Sequence, residues 1–255
     1  MSGSLERLSS EHIPYVLCSY SSLDRYFRVR EPGPLYLATD SEIWVLARAF
    51  DDLEYPGLPL EDAVTREEGN RIIFRCVDSL VSPLAVPFTV MRLLYDPGRD
   101  SFLDRAAVYP DLRAAGLTWV PDGQPAWVGL CEAARLVSRY HYAAEGSYGW
   151  APGRALPPPA YQRDLLAAIL ASRRPDKGLA LLEQAGFIAA AWPELAAMGA
   201  IPHAKDYHPE GNVWEHTLET LKYRKTMDFV LPLALLLHDA GKPDSEGSGE
   251  RRFDG

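Results

Sequence analysis

Two stretches decide how this chain is read: Asn212-Val-Trp-Glu-His-Thr-Leu218 and Leu235-Leu-Leu-His-Asp-Ala-Gly-Lys-Pro243. The second closes an apolar run with an imidazole and a carboxylate side by side, His238 and Asp239. Such a couple is costly to withdraw from water without a partner. A divalent cation suits both groups, and Mn, Ni, Fe, Zn and Mg all remain open as its identity. One helix, a short turn and a second helix fill the interval between His216 and His238. Antiparallel helices joined in this way bring two such side chains to one point. Three ligands on packed helices hold an ion with positions left for water and a phosphate oxygen. His216, His238 and Asp239 are therefore the expected metal ligands. Asp239 and Lys242 are the expected catalytic groups, Lys242 as a point charge on the phosphate. The bland alternatives are a buried hydrogen-bonded pair and, for Asp239 alone, a cap or a salt bridge. His12, His141 and His203 read as ordinary core or surface histidines, and His208 as a loop or capping residue.

Outward from these stretches the pattern is helical. Gly211 and Asn212 precede a helix from Val213 to about Lys225, and Pro232 opens the next, which Gly241 ends and Pro243 prevents from continuing. Pro175 suits the first turn of an earlier helix and Gly186 its C-terminal end. Tyr161 to Ser172 carries Leu165, Leu166, Ile169 and Leu170 on one face, and Trp127 to Tyr142 reads as a further helix. Gly146 to Pro159, rich in Gly and Pro, reads as a linker or ordered loop. Before residue 125 the signals are mixed. Ile13 to Leu17, Leu35 to Leu37 and Arg71 to Val77 have strand character. Ser41 to Phe50 has helical spacing, with Ile43, Leu46, Ala47 and Phe50 on one face and Ser41 as cap. Phe88 to Tyr95 is apolar and stops at the turn Asp96-Pro-Gly98. The fold class expected is α+β, a mixed α/β head followed by an all-helical body.

Composition bounds the function. At 47% hydrophobic over 255 residues the chain can bury a core, and its formal net charge of −9 weighs against nonspecific nucleic-acid binding. Cys18, Cys76 and Cys131 are scattered and odd in number, which fits a reducing cytoplasm better than a disulfide framework. The longest strongly apolar run, Phe229 to Leu237, is shorter than the roughly 20 residues of a membrane span, so no membrane partner is expected.

The chain then becomes recognisable. Arg174-Pro-Asp-Lys-Gly-Leu-Ala-Leu-Leu-Glu183, Trp192-Pro-Glu-Leu195, His208-Pro-Glu-Gly-Asn-Val-Trp-Glu-His-Thr-Leu218 and Leu235 to Pro243 stand in the order found in bacterial tRNA nucleotidyltransferases of the poly(A) polymerase family. The C-terminal part resembles that family's HD domain, which implies that His216, His238 and Asp239 bind the metal. In HD domains a later Asp completes the site. Asp244 and Asp254 lie too close in sequence for that role, and the family pattern runs on past Phe253-Asp-Gly255. The resemblance implies residues 1–125 as a degenerate nucleotidyltransferase-like domain, 126–205 as a helical neck or body, and 206–255 as the first part of an HD domain.

The N-terminal half is similar to the same family's catalytic head, with its chemistry replaced. Leu37-Ala-Thr-Asp40 survives, but the two preceding carboxylate positions fall on Pro34 and Tyr36, and no glycine lies between Gly3 and Gly33 to make the family's Gly-Gly turn. Two-metal nucleotidyl transfer needs paired carboxylates. In Pro87-Phe-Thr-Val-Met-Arg-Leu-Leu-Tyr-Asp-Pro97, Pro87 replaces the family's Asp and Met91 its Asn. The base-selecting Glu-Asp-x-x-Arg aligns near Val128, Gly129 and Glu132 without its acidic pair and Arg, while Arg135 and Arg139 keep their spacing. The first functional expectation is an HD phosphohydrolase acting on a phosphate ester, such as a nucleotide or an RNA end. The second is a non-catalytic RNA-binding or regulatory relative, with tRNA as partner and Tyr140, Tyr142, Tyr148 and Trp150 as stacking or packing groups. Pro34 and Tyr36 weigh against the third, a working CCA-adding enzyme. Oligomeric state is not legible.

Overall fold

The run Leu35-Tyr-Leu-Ala-Thr39 is apolar on both faces, the pattern of a strand covered on both sides, and Tyr36 to Thr39 are all buried. The computed structural model describes residues 3–30, 33–121, 123–201, 211–226 and 228–242; His203, His208, Pro243, Asp244 and Asp254 lie outside them. The chain forms two units, Met1–Pro125 and Ala126–Gly255. The first contains helix α1 (Gly3–Ser10), strand β1 (Val16–Leu17), α2 (Ser19–Phe27), β2 (Leu35–Thr39), α3 (Ile43–Ala49), β3 (Ala63–Glu67) and β4 (Asn70–Cys76). A 3-10 turn at Thr89–Arg92, β5 (Leu94–Asp96), β6 (Ser101–Leu103) and α4 (Tyr109–Ala114) complete it.

These strands form one sheet in the order β3-β4-β2-β1-β5-β6. Only β2 and β4 run parallel, and parallel neighbours need a crossover; α3 and β3 supply it. One core lies between the sheet and the helices α1 and α3, built from Leu8, Ile13, Leu37, Leu46, Phe50 and Phe74. The turn after β5 is held by Asp96, whose Oδ1 accepts from the backbone N–H groups of Gly98 and Arg99 at 2.9 and 3.2 Å.

The second unit is helical among its described residues: α5 (Ala126–Arg139), α6 (Pro159–Leu170), α7 (Pro175–Gln184), α8 (Phe187–Ala191), α9 (Pro193–Ala197), a 3-10 turn at Met198–Ala200, α10 (Val213–Tyr223) and α11 (Val230–Leu237). Helix α5 is buried on nearly every side, Glu132 and Ser138 included. It packs on α6 and α7, and α10 packs on α7 and α11. The α5–α7 contact is at backbone distance. A Cβ on Gly178 would meet Ser138 Oγ at 2.0 Å and the Ala134 carbonyl at 2.7 Å. Among the described residues no helix is long and apolar enough to cross a membrane.

The fold is mixed α and β, as the sequence pattern indicates, with local corrections. Helix α3 turns Leu46 and Phe50 inward but leaves Ile43 38% exposed, and Ala47 faces solvent with it. The reason is tertiary: Phe50 packs on Phe74 at 5.5 Å between ring centroids, with the Arg7 guanidinium 5.6 Å from the Phe50 centroid. Ser41 is not the cap, since Glu42 holds that position without a side-chain bond. Ser41 instead donates its N–H to Thr39 Oγ1. The strand at Ile13–Leu17 shrinks to two residues, and half of the apolar run at Phe88–Tyr95 is a 3-10 turn.

Candidate metal centre

Helix α10 is fixed at both ends. At its start Asn212 Oδ1 accepts from the Glu215 N–H at 2.9 Å, and Glu215 Oε2 accepts from the Asn212 N–H at 3.0 Å. This reciprocal box satisfies two of the donors that a helix start leaves orphaned. Gly211, at φ +120°, makes room for it, because a Cβ there would meet Glu215 Oε2 at 2.1 Å. His216 lies one turn into this helix, its N–H bonded to the Asn212 carbonyl. Just past the other end, Arg224 donates to the Leu221 carbonyl of α10 and to the carbonyls of Leu170 and Ser172 at the end of α6. Burial lowers the pKa of that guanidinium, yet its three carbonyl acceptors suit the charged form.

Helix α11 begins two residues before Pro232, which sits in the first turn, where its missing N–H is not needed. Asp228 takes over the free donors: its Oδ1 accepts from Val230 N at 2.7 Å and Leu231 N at 3.2 Å. The Leu231 N–H and the Thr226 hydroxyl hold its pKa below the usual carboxylate range. The helix ends at Leu237, not at Gly241, so His238 is its C-cap and Asp239 follows in a tight turn closed by Lys242 N–H to the Asp239 carbonyl.

This turn brings the three expected ligands together. One donor atom each from His216, His238 and Asp239 lie within 4.8 Å of one another, and the two imidazole centroids are 5.9 Å apart. Donors about 2.1 Å from a shared ion lie about 3–4 Å from each other, so small rotamer changes would close the set. Asp239 is 8% exposed, and the His238 side chain is 38% exposed. His238 Nδ1 lies 2.7 Å from the Leu235 carbonyl, an obligate acceptor, so Nδ1 carries the proton. Its Nε2 faces Asp239 Oδ2 at 3.2 Å. A backbone acceptor fixing the ring in this way is the usual support of a ligating histidine. Lys242 Nζ lies 2.8 Å from the same Asp239 oxygen. The donor chemistry fits a divalent ion.

The remaining sequence candidates fall elsewhere. His12 and His141 are exposed and belong to no such cluster. Tyr140, Tyr142 and Trp150 are 5%, 2% and 1% exposed and pack in the interior, Trp150 edge-on to Phe187, so these three are core groups and not a stacking platform. In the first unit Ser19 has a φ of 46° at the start of α2. Tyr36 is 5% exposed and packs on Tyr20; Met91 is 1% exposed. Residues that match the resemblance have structural duties: Thr39 donates to the Pro14 carbonyl, Thr89 bonds Asp111, and Tyr95 bonds Asp100. A groove of about 1150 Å³ opens in this unit beside Arg25, Arg71, Tyr95 and Asp100. Two of its arginines are ion-paired, Arg25 with Asp100 and Arg71 with Glu61, and the groove is lined by none of the three clustered ligands.

One feature was not legible as a network. Glu132, 2% exposed at its side chain, accepts from Arg135 at 2.9 Å and from the Tyr161 hydroxyl at 2.8 Å. Burial, then the Glu132 charge, raises the Tyr161 pKa well above its ordinary value, which keeps the phenol a donor.

No family model matches the chain. A stretch of 79 residues is 39% identical to the multifunctional CCA protein of Neisseria gonorrhoeae, 30% of this chain and 19% of that protein. The corresponding protein of Halorhodospira halophila is 38% identical over 79 residues, again 30% of this chain and 19% of its own. The chain thus matches about a fifth of the length of these curated relatives. Among solved structures, the Thermotoga maritima CCA-adding enzyme complexed with tRNA gives a TM-score of 0.50 at 14% identity, covering 96% of this chain and 64% of that one. A CCA-adding enzyme complexed with ATP gives 0.50 at 13% identity, covering 97% and 65%. At such identities the likeness establishes the fold: a nucleotidyltransferase-like sheet followed by helices.

Proposed function

We propose that this chain is a metal-dependent phosphohydrolase of the HD type, acting on a phosphate ester such as a nucleotide or an RNA end. The observation that carries the reading is the convergence of His216, His238 and Asp239 donor atoms within 4.8 Å. These three residues would hold the ion. The Leu235 carbonyl accepts from His238 Nδ1, so Nε2 would be the atom left to ligate the ion. When bound, a divalent ion supplies an acidified water and stabilises charge on the phosphoryl oxygens. Lys242, on a flexible stem at the rim, would meet the phosphate as a point charge. The N-terminal unit keeps its fold without the paired carboxylates that nucleotidyl transfer requires, so it serves as a scaffold.

Metal analysis of the purified chain, with calorimetric titration of Mn²⁺, tests this directly. About one ion per chain is expected, together with metal-stimulated hydrolysis of p-nitrophenyl phosphate or its diester, and both should vanish in Asp239→Ala. Absence of any bound metal and of stimulated hydrolysis refutes the proposal. A second reading, a non-catalytic relative that binds tRNA, is favoured by the likeness to multifunctional CCA proteins. Retention of tRNA without turnover supports it. Incorporation of labelled CTP or ATP into tRNA would overturn the scaffold role of the first unit.

A further inference from the structure

The Asp239 carboxylate is claimed twice on one atom. Oδ2 faces His238 Nε2 at 3.2 Å, and the Lys242 ammonium sits 2.8 Å from that same oxygen. The lysine reaches it from one turn further along the chain, where the Lys242 N–H also bonds the Asp239 carbonyl. The two residues are therefore tied by backbone and by side chain. Asp239 is 10% exposed at its side chain and Lys242 42%, so the contact is half withdrawn from water and only weakly screened.

We infer that Lys242 is an internal cation competing with a divalent ion for Asp239, and so sets the affinity of the site; this rests on the metal reading proposed above. An ion shared by His216, His238 and Asp239 would approach Oδ2 to about 2.1 Å. A dication and an ammonium on one oxygen repel strongly at that range. The lysine must then swing away, and its side-chain exposure gives it open solvent to swing into. In its inner position the ammonium holds Asp239 aimed at the imidazoles, which preserves the ligand geometry. In its outer position the same charge is available to a phosphate. One residue thereby couples ion entry to anion capture: the cation that leaves the carboxylate becomes the one that meets the substrate.

The test uses the full chain and Mn²⁺ or Zn²⁺ alone as probe. Lys242→Met keeps the aliphatic stem and removes the charge; Lys242→Arg keeps the charge. Calorimetric titration at fixed pH and ionic strength should show ion binding at least tenfold tighter in Lys242→Met than in wild type, and within about threefold of wild type in Lys242→Arg. Acylation of Lys242 by an N-hydroxysuccinimide ester, followed by peptide mass spectrometry, should speed up when the ion is added. Equal or weaker binding in Lys242→Met, or acylation unaffected by a bound ion, overturns the competition; the ion would then be using Oδ1 while the lysine keeps Oδ2. If wild type and Lys242→Met both bind no ion, the metal reading itself falls and takes this inference with it.

Discussion

Replacing Glu132 by Gln is the sharpest structural test of the helical unit. The substitution preserves shape and leaves an amide oxygen for the Tyr161 hydroxyl, so packing and that hydrogen bond survive. The charge does not. Arg135, 16% exposed at its side chain, would keep its cation with no carboxylate at 2.9 Å. Breaking a buried pair by removing one partner costs about 3–5 kcal/mol. Here the arginine retains a little solvent and the amide still accepts a bond, which places the expectation near about 2–3 kcal/mol. At roughly 3 °C per kcal/mol for a chain of this size, the unfolding midpoint should fall by about 6–9 °C. Differential scanning calorimetry on wild type, Glu132→Gln, Tyr161→Phe and the double variant reads it. Tyr161→Phe alone should cost about 1 kcal/mol, and the two changes should couple, since both act on one carboxylate. A fall below about 2 °C for Glu132→Gln, or strict additivity in the double variant, would show that the network is not what holds α5 to α6.

Other expectations are simpler. Asn212→Ala removes half of the box that starts α10 and should cost about 1 kcal/mol; if His216 depends on that helix start, Mn²⁺ affinity falls with it, and unchanged stability would show the box to be idle. The thiols should be inert: burial pushes Cys18 up to about 12 and Cys76 to about 11, and raises Cys131 well above its ordinary value, so at pH 8 Ellman's reagent should label the native chain slowly and all three cysteines after urea. Fast native labelling of Cys18 would contradict its burial. Because the folded Tyr161 phenol has a raised pKa, its contribution is complete below the unfolded value near 10 and is lost as pH rises above it; a urea series between pH 9 and 11 should show stability declining in wild type and less so in Tyr161→Phe.

Much of the site was legible because its signals are local. Gly211 and Asn212 mark the start of α10 by themselves, though the box with Glu215 was seen only in the structure, and the apolar run ending in His238-Asp239 sets those two residues together whatever lies around it. The fold class was legible for the same reason: Leu35 to Leu37 has strand character on its own, and the structure extends that strand to Thr39. What escaped depends on neighbours. The inward face of α3 is chosen by Phe74 and Arg7, which lie far off in sequence. Asp228 stands one position before the formal cap of α11, so a rule keyed to Pro232 misplaced the helix start. The Glu132–Arg135–Tyr161 network needs α6 laid against α5, and no spacing within either helix announces it.

The burial of Tyr36 makes its position hard to exchange for a charged group. The resemblance expects a carboxylate at this position, yet its ring is packed on Tyr20 with 5% exposure. A single Tyr36→Asp change would strand an ionised group in a space shaped for a phenol, leaving both a void and an unsolvated charge. Placing a carboxylate at this position would therefore require compensating changes in the residues around it, Tyr20 first among them.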